Sequence, residues 1–411
     1  MSNQYVAPSG YRKWSIGLIV AGLVVLILGF FFLYPLAGSH GDNTVSTRFW
    51  AVLLQNSLFW LLLVNTSTFF IAITTLAMGG WQVALRRVAD AISSVVPVMG
   101  VLTLIIILII VFGHRTDIYP WLDKEHVAND PILSGKSGFL NPAVYAIASI
   151  LTIGLWVFVG KKLKDLSLAS DELGTMDYQT GRTWLNKNLF CAAFFIVLFG
   201  LTVGSTTPWI WLMSIDPHWF STMYSWYTFA STFVSGIALL TIFVVYFKNQ
   251  GQLEFVTEEH LQDLGKFMFA FSIFWTYLWF DQFMLIWYAN IPEETIYFKI
   301  RSQGPYRGIF FLNLILNFVC PFLILMKKAA KRNYTIITLM CVLIIFGHWI
   351  DFYLVIMPSV LGSRWSVGFI EIGSTAFFAG VFLFTFFNSL AKAALVPENH
   401  PMLQESVHHH I

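Results

Sequence analysis

The chain has 411 residues, of which 57% are hydrophobic and 11% charged, with a formal net charge of +2 and a mean hydropathy of +0.70. A soluble domain carries roughly 25% charged residues, and so few charges cannot cover a soluble surface of this size. A soluble enzyme, a disordered scaffold and a nucleic-acid binder are excluded, which leaves a polytopic membrane protein.

A spanning helix needs about 20 mostly apolar residues. In chain order such runs lie at 14–34, 50–77, 91–112, 143–163, 189–213, 219–247, 266–290, 309–326, 334–357 and 366–391, which predicts an all-α protein with ten transmembrane helices. The first run is too long for a signal-peptide core and lacks a small-residue cleavage site, so it is expected to stay as a helix. Its Gly22 and Gly29 are seven apart and share a face, as a close helix contact would require. Small residues are also simply common in membrane helices. The longest loops, 113–142 and 164–186, are too short for an independent domain. Cys191, Cys320 and Cys341 all lie in apolar runs and read as buried thiols.

Ten spans put both termini on one side, and positive charge fixes which. Of the 24 Lys and Arg, 16 fall on the termini and even-numbered loops and 8 on the odd-numbered loops, which predicts cytoplasmic termini. On these boundaries no Lys or Arg enters a helix core. Arg48-Phe49-Trp50 before the second run and His218-Trp219-Phe220 at the sixth hint at a duplication. It would give two four-helix bundles, 50–213 and 219–357, flanked by helices 14–34 and 366–391.

An ionisable group at the bilayer centre costs about 2.5–3.5 kcal/mol on insertion scales, so those present ask for a use. The candidates are Asp281, His348, Asp351 and Glu371, with Tyr224, Tyr227, Tyr277 and Tyr288 at similar depth. His348 and Asp351, three apart, share a helix face. One reading is a hydrogen-bonded cluster that takes up and releases protons, with the imidazole as relay. The other is an Asp–His lock between helices. In the inner half only hydroxyls are expected, among them Thr66, Ser93, Ser94, Ser231, Thr232, Ser235 and Thr276, mostly bonded to their own backbone. His348 is the one histidine well inside a run, which argues against a bis-histidine haem, and three scattered cysteines argue against an iron–sulfur cluster. No cofactor is expected in this chain. The terminal His408-His409-His410 reads as a solvated tail or expression remnant without a role.

Two loop motifs point further: Asp216-Pro217-His218-Trp219-Phe220-Ser221-Thr222 and Trp287-Tyr288-Ala289-Asn290-Ile291-Pro292-Glu293-Glu294-Thr295. With the ten-run layout, the chain from about 14 to 391 resembles the NrfD/polysulfide-reductase membrane subunit family, most closely the shorter NrfD-like subunit of bacterial alternative complex III. The resemblance implies two four-helix bundles in a bacterial inner membrane and membership of a quinol:cytochrome c oxidoreductase. It implies a paralogous quinol-binding subunit, an iron–sulfur subunit, multihaem and monohaem cytochrome c subunits and a terminal oxidase as partners. Haem c and iron–sulfur clusters would sit in those partners, with menaquinol or another quinol as substrate. By position, Asp281, His348, Asp351 and Glu371, with Tyr224, Tyr227 and Tyr277, would be the proton-transfer candidates. The outer-loop residues Asp216, His218, Asn290, Glu293 and Glu294 would meet a soluble partner, although ordinary capped turns at Pro217 and Pro292 explain the same residues.

Two rival functions fit the same residues. In one, Tyr224, Asp281 and His348 are polar groups at the mouth of a quinone cleft. The other is a stand-alone secondary transporter, which would need broken midplane helices; Pro97 and Pro321, the strong internal breakers, do not pair convincingly.

Overall fold

The structure, a computed structural model, describes residues 5–33, 44–174, 176–364 and 367–410. It is an all-α membrane-type fold with no strand among the described residues. Ten helical segments are long and apolar enough to cross a membrane: α1 (Tyr11–Phe31), α2 (Ser46–Leu76), α3 (Gly80–Phe112), α4 (Pro142–Leu173), α5 (Tyr178–Ile215), α6 (Tyr224–Asn249), α7 (Glu258–Ala289), α8 (Gly304–Leu325), α9 (Tyr334–Leu361) and α10 (Phe369–Leu390). "Outer" below denotes the face bearing the loop 113–142.

The expected boundaries need one correction with consequences. Helix α3 begins at Gly80 rather than near residue 91, as a turn of 3-10 helix followed by the helix Arg86–Ser93. Arg86, Arg87 and Asp90, expected in a solvated loop, are therefore buried. Arg86 Nε lies 3.6 Å from Asp90 Oδ1, Ser167 Oγ donates to Asp90 Oδ2 at 2.6 Å, and Arg87 bonds Asp171 at 2.5 Å. Buried basic residues and an inner-half carboxylate thus exist where none was expected. They are tolerated because each charge meets an opposite one.

Helices α2 and α6 are the two central rods, each buried along most of its length. Their close approach needs Gly236, where a Cβ would come within 2.5 Å of the Thr66 side chain. Helix α2 packs on α3 and α5, and α4 closes that group against α3 and α5. Helix α6 packs on α7 and α9, and α8 lies between α7 and α9. The contacts thus separate two groups of four, α2–α5 and α6–α9, joined where α2 meets α6 and α9. Helices α1 and α10 form an intimate pair at the flank, with α10 resting on α2. Gly22 faces that pair: a Cβ there would stand 2.6 Å from the Gly373 carbonyl oxygen. Gly29 faces Ile370 of the same helix.

The C-terminal segment folds back as a strap over the inner ends of α3 and α7. Ser406 Oγ donates to the Trp81 carbonyl at 2.6 Å and accepts from Ala84 N–H, and Glu405 accepts from Gly80 N–H at 3.0 Å. His409, expected to be without a role, bonds Asp263 at 2.8 Å and stacks on Trp81.

Candidate functional site

Asp351 lies at the axis of the second helix group, fully buried on α9. Its carboxylate accepts four hydrogen bonds. Tyr227 O–H and Asn313 Nδ2 (2.9 Å) donate to Oδ1, and Ser231 Oγ (2.8 Å) and Trp275 Nε1 (3.0 Å) donate to Oδ2. The donors come from α6, α7 and α8, so one carboxylate ties three of the neighbouring helices to α9. A carboxylate has about four lone-pair positions, and here all are occupied. Asn313 is held in turn by Asn317 Nδ2, which donates to its Oδ1 at 2.6 Å.

His348 joins through Ser231 rather than directly. Its Nδ1 is 2.9 Å from Ser231 Oγ but 3.9 Å from Asp351 Oδ2. A serine has one proton to give. If Ser231 gives it to the carboxylate, His348 Nδ1 must carry the hydrogen that Ser231 accepts. His348 Nε2 is buried and has no hydrogen-bond partner among the described residues, so its lone pair is free to receive a proton. The geometry can pass a proton from Nε2 through the ring and Ser231 Oγ to Asp351 without moving a heavy atom far.

A cavity of about 20 Å³ adjoins the outer side of this cage, lined by Tyr224, Tyr227, Gln282, Tyr297, Arg301 and Asn313 among others. It has room for a water molecule and is far below the several hundred Å³ typical of a small-molecule site. Its outer lid is aromatic. Tyr297 stacks on Trp219 at 3.7 Å between ring centroids, and the Arg301 guanidinium lies 3.3 Å from the Tyr297 centroid. Tyr297 also hydrogen-bonds Tyr224, and burial pushes its phenol above the ordinary value.

Arg301 is positioned by a proline. Pro358 within α9 has no N–H to give to the Leu354 carbonyl four residues back. Arg301 Nε donates to that carbonyl at 2.9 Å, and Nη2 donates to Val355 O at 3.0 Å and Ser359 Oγ at 2.7 Å. Ser359 O–H donates to Asp216, whose carboxylate is 4.0 Å from Arg301 and one-third exposed. A file of polar groups therefore runs from the outer surface at Asp216 through Ser359, Arg301, Tyr297 and Tyr224 to the cavity, Tyr227 and Asp351.

The structure sorts the residues expected from sequence. His348 and Asp351, on one face of α9, lie together with Tyr227 and Tyr224 of α6. Asp281 does not join them. It is half-buried on α7, with no hydrogen bond or ion pair among the described residues, and Gln282 takes the cavity-facing position beside it. Tyr277 and Tyr288 point outward, 57% and 84% exposed. The trio Tyr224, Asp281 and His348 therefore does not converge on a quinone mouth. Glu371 is buried but locked: Arg48 Nε donates to its Oε1 at 2.8 Å and Nη2 to Oε2 at 2.6 Å, and Gly368 N–H adds a third bond.

The first loop motif is spent on the chain's own packing. Asp216 binds Ser359, His218 binds Asp130 at 2.5 Å, Lys136 reaches the Pro217 carbonyl at 2.5 Å, and Trp219 stacks on Tyr297. The His218 bond, with backbone N–H donors, lowers the Asp130 pKa. In the second motif Asn290 ends α7 in the left-handed region (φ 50°) and Glu293 is exposed. Glu293 and Glu294 lie in the first turn of the helix Pro292–Ser302, where negative charge is favoured.

Sequence reading missed Trp275, Asn313, Ser231 and Arg301 as site residues. Pro358 was the available signal for Arg301, since a proline near a helix end leaves a carbonyl that needs a donor. Nothing local marked Asn313 or Trp275. No protein-family model matches the chain, and no curated protein matches it.

Proposed function

We propose that this chain is an integral subunit of a quinol-oxidising respiratory complex, of the ActF type in alternative complex III, and that it moves protons rather than electrons. The buried Asp351–Ser231–His348 relay, continued outward by the polar file to Asp216, carries this reading. A lock between helices needs only the carboxylate and its donors. It gives no reason for an unpartnered imidazole nitrogen on one side and a water-sized cavity on the other. The assignment to a quinol:cytochrome c complex rests on the two loop motifs and the ten-span layout. Quinol oxidation and the haem c and iron–sulfur centres belong to partner chains in this proposal, and the membrane is the bacterial inner membrane with both termini cytoplasmic.

Two measurements test it. Gentle detergent purification should bring down cytochrome c and iron–sulfur subunits; isolation as a lone chain defeats the complex. In the reconstituted complex, Asp351→Asn should lower protons moved per electron; an unchanged ratio and rate removes the relay from the mechanism.

A further inference from the structure

A groove of about 230 Å³ opens on the inner half of the first helix group, between α3 and α4. Its existence follows from a break in α3. The helix Arg86–Ser93 ends, two turn residues intervene, and a new helix starts at Val96 with Pro97 in its first turn. The break places the electropositive first turn of a 17-residue helix in the wall of the groove.

The walls divide by chemistry. Val96, Pro97, Val157 and the fully buried Trp156 form the part nearer mid-membrane. Lys161 and Lys164 stand at the inner end. Lys164 Nζ donates to Ser94 Oγ and to Ser389 Oγ, each at 2.7 Å, and forms no ion pair among the described residues. Both partners are neutral, and an ammonium has three hydrogens to give. Lys161 is exposed on the rim, and Lys392 at the end of α10 adds positive field. The one carboxylate in the lining, Asp165, is exposed; it and Asp90 act on Lys164 from a distance without forming an ion pair with it. The nearby basic residues offer no surplus, because Arg86 faces Asp90 and Arg87 is paired with Asp171.

A half-sunken ammonium in no ion pair, at the edge of a groove that turns apolar toward the membrane centre, matches one kind of molecule. The geometry points to an anionic phospholipid as the resident of this groove, its phosphate on Lys161 and Lys164 and its glycerol and upper acyl chain along Val96, Pro97 and Val157. A free phosphate would satisfy the lysines but not the apolar wall. A zwitterionic lipid would bring its own cation to an already positive site. Basic pockets between spanning helices are general headgroup sites.

The test uses the full-length chain in nanodiscs of phosphatidylcholine with increasing phosphatidylglycerol. The wild-type thermal midpoint should rise with phosphatidylglycerol, and the lipid co-purified by repeated detergent washing should be anionic. Lys161→Gln should weaken that lipid's half-effect concentration about five-fold, as expected for one lost interfacial lysine. Val157→Trp, which fills the groove without touching a charge, should abolish retention. Each variant is read as its own shift between pure phosphatidylcholine and phosphatidylglycerol discs, and Lys187→Gln on α5 should follow the wild type at every composition. A phosphatidylglycerol effect that persists in both groove variants overturns the site. An equal rise with inorganic phosphate in phosphatidylcholine discs overturns the lipid assignment.

Discussion

Ser231 Oγ stands 2.8 Å from Asp351 Oδ2 and 2.9 Å from His348 Nδ1, so a single hydroxyl joins an acid and an imidazole that are themselves 3.9 Å apart. Ser231→Ala should therefore do two separable things. It removes one of four donors from a buried carboxylate, costing about 1–3 kcal/mol, and it cuts the relay. Ser231→Thr keeps the hydroxyl. A thermal melt reads the first effect, and proton movement in liposomes the second. Equal proton rates in Ala and Thr variants would show that the hydroxyl does not conduct.

Arg301 and Pro358 should be coupled. Arg301→Ala strands the Leu354 carbonyl, which Pro358 cannot serve, and leaves Asp216 without its nearest cation. A loss of about 1–3 kcal/mol is expected for the orphaned carbonyl alone. With Pro358→Ala in place, residue 358 supplies an N–H and the Arg301→Ala penalty should shrink. A double-mutant cycle on thermal midpoints checks this, and strictly additive losses contradict the account.

Gly22→Ala should weaken the α1–α10 pair, because its Cβ would meet the Gly373 carbonyl at 2.6 Å and the Phe377 backbone nitrogen at 2.6 Å. Overpacking of this kind costs roughly 1–3 kcal/mol. Gly17→Ala, with nothing within 4 Å, is the control on the same helix and should be neutral or slightly stabilising. Disulfide cross-linking between cysteines placed in α1 and α10 reads the difference.

The inner strap should loosen in acid. His400 is 8% exposed, edge-on to Trp184, and burial beside Arg86 and Arg87 lowers its pKa from 6.5 to about 3. Docked, it stays neutral; undocked, it protonates below about 6.5. Docking is thus unaffected above that pH and weakens as pH falls toward about 3, by at most about 1.4 kcal/mol per pH unit. Corrected for the base-catalysed intrinsic rate, the hydrogen-exchange protection of residues 393–410 should fall about ten-fold between pH 7.5 and 5.5 in the wild type. A smaller dependence in His400→Phe is the matching observation, since His260 against Ser406 and His409 on Asp263 remain.

Asp281→Asn should leave proton movement unchanged, since Asp281 lies outside the relay. It should also ease membrane insertion, where a central carboxylate costs about 2.5–3.5 kcal/mol. A proton defect equal to that of Asp351→Asn would place Asp281 in the path after all.

The number and approximate centres of the spans were legible in the sequence, because a bilayer imposes a minimum apolar length on every helix that crosses it; the ends were not, since α3 starts at Gly80, α4 runs on to Leu173 and α5 spans Tyr178–Ile215. The i, i+3 pair His348 and Asp351 was legible for the same local reason: one helix turn sets which residues share a face. Other features were not local. Asp281 and Asp351 look alike along the chain, yet one is half-buried at the periphery and the other is the hub of four helices. Hydropathy gives the depth of a residue in a membrane but not its direction around the helix axis, because lipid and protein interior are equally apolar. The burial of Arg86, Arg87 and Asp90 was hidden because a pairing between helices cancels charges that a window average counts as polar. The sequence by itself determined that this is a ten-span helical membrane protein with a few costly acids. Which acid carries a relay and which is locked was decided only by tertiary packing, since donors such as Trp275, Ser231 and Asn313 reach Asp351 from helices far away in the chain.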